Sequence, residues 1–153
     1  MAISDPFPDA VVDSLQLSDL VAVEELERAS FSTPWPRVSF ELALRESHCV
    51  NLAVRVQHQL AGYLVAILQP PALLIANLAI EPGFRRRQLA TLLVQSAFES
   101  GRSNDCSYAV LDVRPSNRAA RSTYEALGFE EVGRRQDYYQ NPPEDSLTMA
   151  RPL

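Results

Sequence analysis

The sequence has little cysteine, since Cys49 and Cys106 are the only two. Two cysteines allow at most one disulfide, and their spacing matches no metal site, which excludes both a disulfide framework and a cysteine metal centre. We predict two buried, reduced thiols, with a single bridge as the alternative. No metal is expected.

Long hydrophobic runs and an excess of positive charge are also missing. No apolar run approaches the ~20 residues that span a bilayer, and the first nine residues lack the pattern of a secretory signal. The 14 basic residues are outnumbered by 19 acidic ones, for a net charge of −5. That balance argues against a protein that binds nucleic acid by neutralising phosphates. We expect a cytoplasmic protein, a monomer or weak dimer, without a membrane or direct nucleic-acid partner.

What the chain does have is enough apolar material for one core. Hydrophobic residues make up 46% of its 153 positions and charged residues 22%. There is no internal repeat and no low-complexity tract that would mark a linker. A single domain over residues 1–153 is therefore predicted.

The central part of the chain is an apolar run at residues 73–80, a Pro-Gly break, and then a helical pattern. The run predicts a strand, and the apolar spacing that starts at Leu89 predicts a helix with Gly101 as its C-cap. A helix start presents unpaired backbone N–H groups, and three arginines at residues 85–87 precede this one. A phosphate suits such a place, although three consecutive arginines are more often an ordinary solvated turn.

The rest of the chain alternates between strand and helix patterns. Helices are predicted at residues 19–30 and 117–127, with Ser18 and Ser116 as N-caps, and a further helix is predicted with Pro36 in its first turn. The first helix places Leu20, Val23, Leu26 and Glu27 on one face. Strands are predicted at residues 10–17, 50–56, 61–68, 107–113, 129–135 and 146–150. This pattern predicts an α/β fold whose mixed sheet has six or seven strands, an antiparallel middle and helices on both faces.

Two stretches resemble the GNAT family of N-acetyltransferases, and within it the enzymes that acetylate the N-terminal amine of ribosomal proteins. The family signature Arg/Gln-x-x-Gly-x-Gly/Ala reads Arg85-x-x-Gln88-x-Ala90 here, so glutamine replaces the first glycine. A second family pattern is followed closely by residues 110–117, Ala120, Tyr124 and residues 127–129.

The resemblance implies a mostly antiparallel sheet with a central splayed pair of parallel strands, and acetyl-coenzyme A as co-substrate. Backbone groups freed between the strands and at the helix start would hold the cofactor. Gln88 would place a Cβ and an amide arm in space that the family keeps open. A fully paired core strand is the alternative at residues 77–80. The implied cofactor-binding residues are Leu78, Ala79, Ile80, Arg86, Arg87, Gln88, Leu89, Ala90, Thr91 and Asn117.

The same resemblance implies catalytic roles for Tyr124, as general acid, and for Asp112, which stands where the family has a glutamate base. Amide formation from a thioester needs a neutral amine and expels a thiolate that benefits from a proton donor. Tyr124 could instead pack its ring in the core. Asp112 could instead pair with a neighbour such as Arg114, because an unpaired charge in an apolar strand is costly.

Trp35, Tyr138 and Tyr139 are the residues expected to form the wall on the amine side, unless they serve only hydrophobic packing. The predicted function is direct transfer of acetyl from acetyl-coenzyme A to the N-terminal α-amine of a protein, in particular a ribosomal one. Two alternatives remain open. One is a small-molecule amine acetyltransferase, and the other is a degenerate GNAT domain that acts as a binding module.

Overall fold

The computed structural model describes residues 9–85 and 88–153. Within these residues the chain forms seven strands, which are β1 (Val11–Ser14), β2 (Cys49–Val56), β3 (Gln59–Gln69), β4 (Ala72–Ile80), β5 (Tyr108–Val113), β6 (Glu130–Tyr139) and β7 (Glu144–Pro152). Its α-helices are α1 (Leu20–Ser30), α2 (Arg37–Arg45), α3 (Leu89–Ser103) and α4 (Arg118–Ala126). None of these helices is long and apolar enough to cross a bilayer.

The strands form one sheet in the order β1-β2-β3-β4-β5-β7-β6. Only β4 and β5 run parallel among these neighbours, and α3 connects them. One face of the sheet packs against α3 and α4, and the other packs against α1 and α2, so each face has its own apolar cluster. The predicted mixed, mostly antiparallel α/β sheet with helices on both faces is confirmed.

The two cysteines are both free thiols, as predicted, so there is no bridge between them. Cys106 is buried and Cys49 is half-buried. Burial raises the pKa of each thiol, which keeps both protonated at neutral pH.

The start of the first helix differs from the prediction, because Ser18 is not its cap. A 3-10 turn at Leu17–Asp19 comes first, and the Gln16 N–H donates to the Asp19 carboxylate at 2.7 Å. The same carboxylate accepts two hydrogen bonds of 2.8 Å from Arg55, which hold the pKa of Asp19 below its ordinary value. A carboxylate can accept all three of these hydrogen bonds, whereas a serine hydroxyl has only two acceptor lone pairs.

The end of α3 also differs, because Gly101 lies inside the helix and not at its C-cap. The helix continues to Ser103, and Asp105 takes the left-handed conformation with φ of 64°. A Cβ on Gly101 would come within 3.1 Å of the side chains of Leu73 and Leu153. Close packing against the sheet therefore explains this glycine.

The parallel strands β4 and β5 separate after a short ladder. They pair at Ala72↔Tyr108, Leu73↔Ala109 and Leu74↔Val110, and β4 then continues to Ile80 without a described β5 partner. The register with β3 shifts at the same place, from Ala66↔Ile75 to Val65↔Asn77, which leaves Ala76 as a bulge. Since a bulge bends its strand, it directs β4 away from β5. The splayed parallel pair is confirmed, and the fully paired strand is excluded.

We expect Gly62→Ala to destabilise the fold by about 2 kcal/mol or more, because this part of β3 lies too close to β4 for a side chain. An added Cβ would lie 2.7 Å from the Ala79 carbonyl oxygen and 2.6 Å from the Ile80 side chain. Thermal unfolding measures the effect. Gly133→Ala in β6 is the matched control, because nothing lies within 4 Å of that position. Equal stability of the two variants would contradict the close approach.

Candidate functional site

A groove of about 470 Å³ lies at the carboxyl end of β5. Three segments form it: the end of α1 with the segment that follows, the turn after β5, and the hairpin between β6 and β7. We call it the β5 groove. Its lining residues are Ser30, Phe31, Ser32, Thr33, Arg114, Ser116, Asn117, Tyr138, Tyr139, Gln140, Pro142 and Glu144.

Arg114 holds the hairpin side of the β5 groove in place. Its guanidinium donates to the carbonyls of Gln140 and Pro142, each at 2.8 Å, and lies 4.4 Å from the centre of the Tyr139 ring. It also pairs with Glu144 at 3.4 Å. The alternative in which Asp112 pairs with a neighbouring residue therefore does not involve Arg114, whose guanidinium reaches the loop, and the arginine near Asp112 is Arg135.

The N-cap of α4 is Asn117 and not Ser116, which was predicted for that position. Asn117 is the N-cap, and its Oδ1 accepts from the Ala120 N–H at 3.2 Å. Both the hydroxyl and the N–H of Ser116 donate to Glu144 at 2.8 Å. The Ser116 hydroxyl is the main cause, with Arg114 adding to it, of a Glu144 pKa below its ordinary value. Asn117 also lines the β5 groove.

Asp112 is half-buried in β5, opposite Thr148 of β7. Its Oδ1 accepts from the Thr148 hydroxyl at 2.7 Å and from the Ser146 hydroxyl at 3.1 Å, and lies 3.6 Å from Arg135 Nε. All these contacts fall on Oδ1. Among the described residues, Oδ2 is the oxygen left to accept a further proton or hydrogen bond.

Tyr124 lies buried on α4, with its ring edge against Phe129 at a centroid distance of 5.7 Å. Burial, with a smaller effect of nearby Tyr139, raises the pKa of Tyr124 to about 12. Its hydroxyl therefore keeps its proton at neutral pH. Tyr139 also interacts with Asp112, and burial is the main reason that its own pKa is raised. Of these three residues only Tyr139 lines the β5 groove, so neither of the two predicted catalytic residues is part of its lining.

The aromatic residues predicted for the amine side occupy different places. Tyr138 and Tyr139 line the groove with their rings perpendicular and 4.9 Å apart. Trp35 is not among the lining residues: its ring packs 5.3 Å from Phe40 in the α1–α2 core. Residues 30–33, a few positions earlier, supply that wall of the groove.

The helix start predicted to hold a phosphate has a left-handed N-cap. Gln88 has φ of 64° and ψ of 12°, a conformation that suits glycine, the residue of the family signature. Leu89 is buried, whereas Ala90 and Thr91 are half-buried in the first turn. Arg86 and Arg87 lie outside the described residues. Arg85 donates from Nε to the Ile80 carbonyl at 3.0 Å and so fixes the end of β4.

Ser146 and Thr148, whose hydroxyls donate to Asp112, were not predicted as site residues. They alternate with buried Leu147 and Met149 along β7. Alternation places both hydroxyls on one face of the strand, so a period of two was the signal that could have found them.

Comparison with known proteins gives relatives of similar length. A *Bacillus subtilis* protein, named provisionally as a ribosomal protein bS18-alanine N-acetyltransferase, is 34% identical over 141 residues, or 92% of this chain and 93% of its own. The *Escherichia coli* ribosomal protein bS18-alanine N-acetyltransferase is 27% identical over 144 residues, or 93% of this chain and 97% of its own.

Solved structures show the same fold. The crystal structure of the ribosomal-protein-S18-alanine N-acetyltransferase from *Escherichia coli* superposes with a TM-score of 0.85 at 26% identity, and 94% of each chain is covered. *Arabidopsis thaliana* NAA60 in complex with acetyl-CoA has a TM-score of 0.85 at 18% identity, covering 94% of this chain and 98% of that one. The sequence profile of the acetyltransferase (GNAT) family matches residues 20–129. This chain therefore belongs to the GNAT family of acetyltransferases, as its motifs predicted.

Proposed function

We propose that this protein transfers an acetyl group from acetyl-coenzyme A to the N-terminal α-amine of a protein, and that the acceptor is a ribosomal protein beginning with alanine. The observation that carries the proposal is the separation of β4 from β5 beyond Leu74, in a GNAT-family chain whose β5 carries Asp112 and whose α4 carries Tyr124. The relatives named for ribosomal protein bS18-alanine acetylation support the choice of acceptor.

The residues on the cofactor side fit acetyl-coenzyme A, which supplies the thioester. Beyond Leu74 the edge of β4 has no described β5 partner. The Glu81 N–H donates to the Ala61 carbonyl on β3, and the two-residue alternation of an antiparallel ladder then turns the peptide groups of Ala79 toward β3 and those of Leu78 and Ile80 away from it. The Ile80 carbonyl is used by Arg85, so the N–H and carbonyl of Leu78 and the N–H of Ile80 remain for the pantetheine amides. The first hydrogen bond of α3 runs from the Leu92 N–H to the Gln88 carbonyl, at 3.2 Å. The earlier N–H groups, of Leu89, Ala90 and Thr91, have no partner within the helix and suit the pyrophosphate.

The proposed acid is the group that keeps its proton at neutral pH, and the proposed base is the group with an oxygen left to accept one. Tyr124 retains its proton well above neutral pH and serves as the donor to the departing sulfur. Asp112 accepts the amine proton at Oδ2, directly or through one water, while Thr148 and Ser146 fix its Oδ1. Tyr138, Tyr139 and residues 30–33 then form the walls around the N-terminal residue of the acceptor.

Calorimetry with acetyl-coenzyme A, followed by an acceptor panel, tests the proposal. The panel holds a peptide beginning with alanine, the same peptide with a blocked N-terminus, and polyamines. We expect cofactor binding and acetylation of the free peptide alone. Acetylation of polyamines in preference to the peptide would identify a small-molecule enzyme, and the absence of cofactor binding would identify a binding module.

We expect Gln88→Gly to tighten acetyl-coenzyme A binding and to stabilise the protein by about 1 kcal/mol, because glycine relieves the left-handed strain at φ of 64° and removes the amide arm. Calorimetry and thermal unfolding measure the two effects. His58→Gly is the control, since φ of 66° gives it the same strain in the β2–β3 turn. A gain in affinity in both variants, or in neither, would contradict crowding at the cofactor.

A further inference from the structure

A buried carboxylate on α1 connects the sheet to the segment that lines the β5 groove. Glu27 is only 1% exposed. Its Oε1 accepts from the hydroxyl of Tyr63 on β3 and, at 2.9 Å, from Nδ2 of Asn77 on β4. Its Oε2 accepts from the backbone N–H of Trp35 at 2.8 Å. One side chain therefore contacts two strands and a loop.

Glu27 holds both ends of the segment 31–35. Its backbone carbonyl accepts from the Phe31 N–H at 3.1 Å, at the end of α1, and its side chain binds the Trp35 N–H. The residues between these anchors include Ser32 and Thr33, which line the β5 groove together with Phe31. The position of this wall is thus set by Glu27.

Aromatic packing holds the side of the cluster that faces the sheet. Phe40 lies between the rings of Trp35 and Tyr63, at 5.3 Å and 5.6 Å. Burial, and secondarily the Glu27 carboxylate, raises the pKa of Tyr63, so its hydroxyl stays a donor. The bulge at Ala76 separates Ile75, in the α3-side cluster, from Asn77, which reaches Glu27 on the α1 side.

The chemistry of the cluster argues for a specific task. Among the described residues no cation pairs with Glu27, so three neutral donors compensate a buried charge. Burying a carboxylate in this way is costly, and an apolar side chain would fill the same space at no such cost. Tyr63 and Asn77 could be apolar side chains as well, whereas the Trp35 N–H is a backbone donor that needs an acceptor whatever the side chains are.

We propose that Glu27 is a positioning residue that fixes the segment 31–35 as a wall of the β5 groove and thereby sets the KM for the acceptor. This inference rests on the proposed function for its kinetic readout. Because an error of about 1 Å in positioning can cost two orders of magnitude in rate, the loss of the clamp has a measurable effect.

The test compares Glu27→Met with Val23→Ala. Val23 lies on the same helix and is fully buried in the core, but it takes no part in the hydrogen bonds of Glu27. For Glu27→Met we expect roughly a tenfold rise in peptide KM, with the KM for acetyl-coenzyme A changed by less than about threefold. Val23→Ala should lower the melting temperature without raising peptide KM. An unchanged peptide KM in folded Glu27→Met would overturn the proposal.

Glu27→Gln is the conservative variant. A glutamine oxygen can accept from the Trp35 N–H while its NH₂ group donates to the Tyr63 oxygen and to the Asn77 amide turned by 180°. Peptide KM should therefore stay within about threefold of wild type. A tenfold rise in this variant would show that the charge matters, and would contradict a purely positional role.

The only tryptophan of the chain gives a readout that needs no catalysis. Quenching of Trp35 fluorescence by acrylamide should increase at least about twofold in Glu27→Met, because the loop loses its anchor, and should stay unchanged in Val23→Ala. If wild type proves inactive on peptides, increased quenching still supports the clamp while the proposed function fails. Unchanged quenching with an active wild type overturns the clamp alone.

Discussion

Replacing Tyr124 with phenylalanine is expected to lower kcat roughly 10²–10⁴-fold, with the affinity for acetyl-coenzyme A nearly unchanged. The substitution removes the hydroxyl and keeps the ring, so the packing against Phe129 survives. Steady-state kinetics with an alanine-initial peptide, together with calorimetry for the cofactor, measures both quantities. A variant with near-normal kcat would return Tyr124 to the role of a core aromatic.

The raised pKa gives the Tyr124 prediction a pH dependence. With a pKa of about 12, the hydroxyl remains protonated throughout pH 7 to 9.5. Wild-type kcat should therefore not fall in that range through loss of this proton. Tyr108→Phe, at the exposed start of β5, is the matched control and should keep full activity. A fall of wild-type kcat centred below pH 9.5 would exclude Tyr124 as the acid.

Local sequence patterns predicted the order of the elements because each strand or helix has its own periodicity. The spacing of Asn117 and Tyr124 is local too, since α4 alone sets it. The left-handed Gln88 was not predicted, because glutamine does not favour that conformation and only the turn before α3 requires it.

Contacts between distant parts of the chain were beyond the reach of local patterns. Glu27 meets Tyr63 and Asn77 across 36 and 50 residues. Glu27 lies on the face of the first helix that is otherwise apolar, and this acidic residue among apolar ones was the sign in the sequence of a buried polar cluster. The partner could not be deduced from it, because the bulge at Ala76 decides which face of β4 presents Asn77.

The expected preference of the enzyme for an N-terminal α-amine over a lysine amine follows from the fraction of each amine that is neutral. An α-amine with pKa near 7.8 is roughly 10–15% neutral at pH 7, whereas a lysine amine near 10.4 is only about 0.04% neutral. The gap of some 350-fold corresponds to ~3.5 kcal/mol. A weak base is therefore enough to deprotonate the α-amine, but it is not enough for the lysine amine.

The base that we propose for this site has a short reach. Asp112 is one methylene shorter than glutamate, and its Oδ1 is already held by Thr148 and Ser146. Arg135 lies 3.6 Å from the same oxygen. Such a group can accept a proton from an amine that needs little help, but it is poorly matched to lysine.

We therefore expect a peptide with an N-terminal alanine and an internal lysine to be acetylated at the α-amine at least about 100-fold faster than at the lysine at pH 7. Fragmentation mass spectrometry across pH 6 to 9 maps the site. The rate should rise with pH and level off near the pKa of the α-amine. The protein contains 14 basic residues, all of them arginine, so every acetyl-lysine detected comes from the peptide. The same peptide with a blocked N-terminus is the control and should be acetylated at no more than about 1% of the rate of the free peptide at pH 7. Modification mainly at the lysine of the free peptide, or equal rates for the two peptides, would contradict N-terminal specificity.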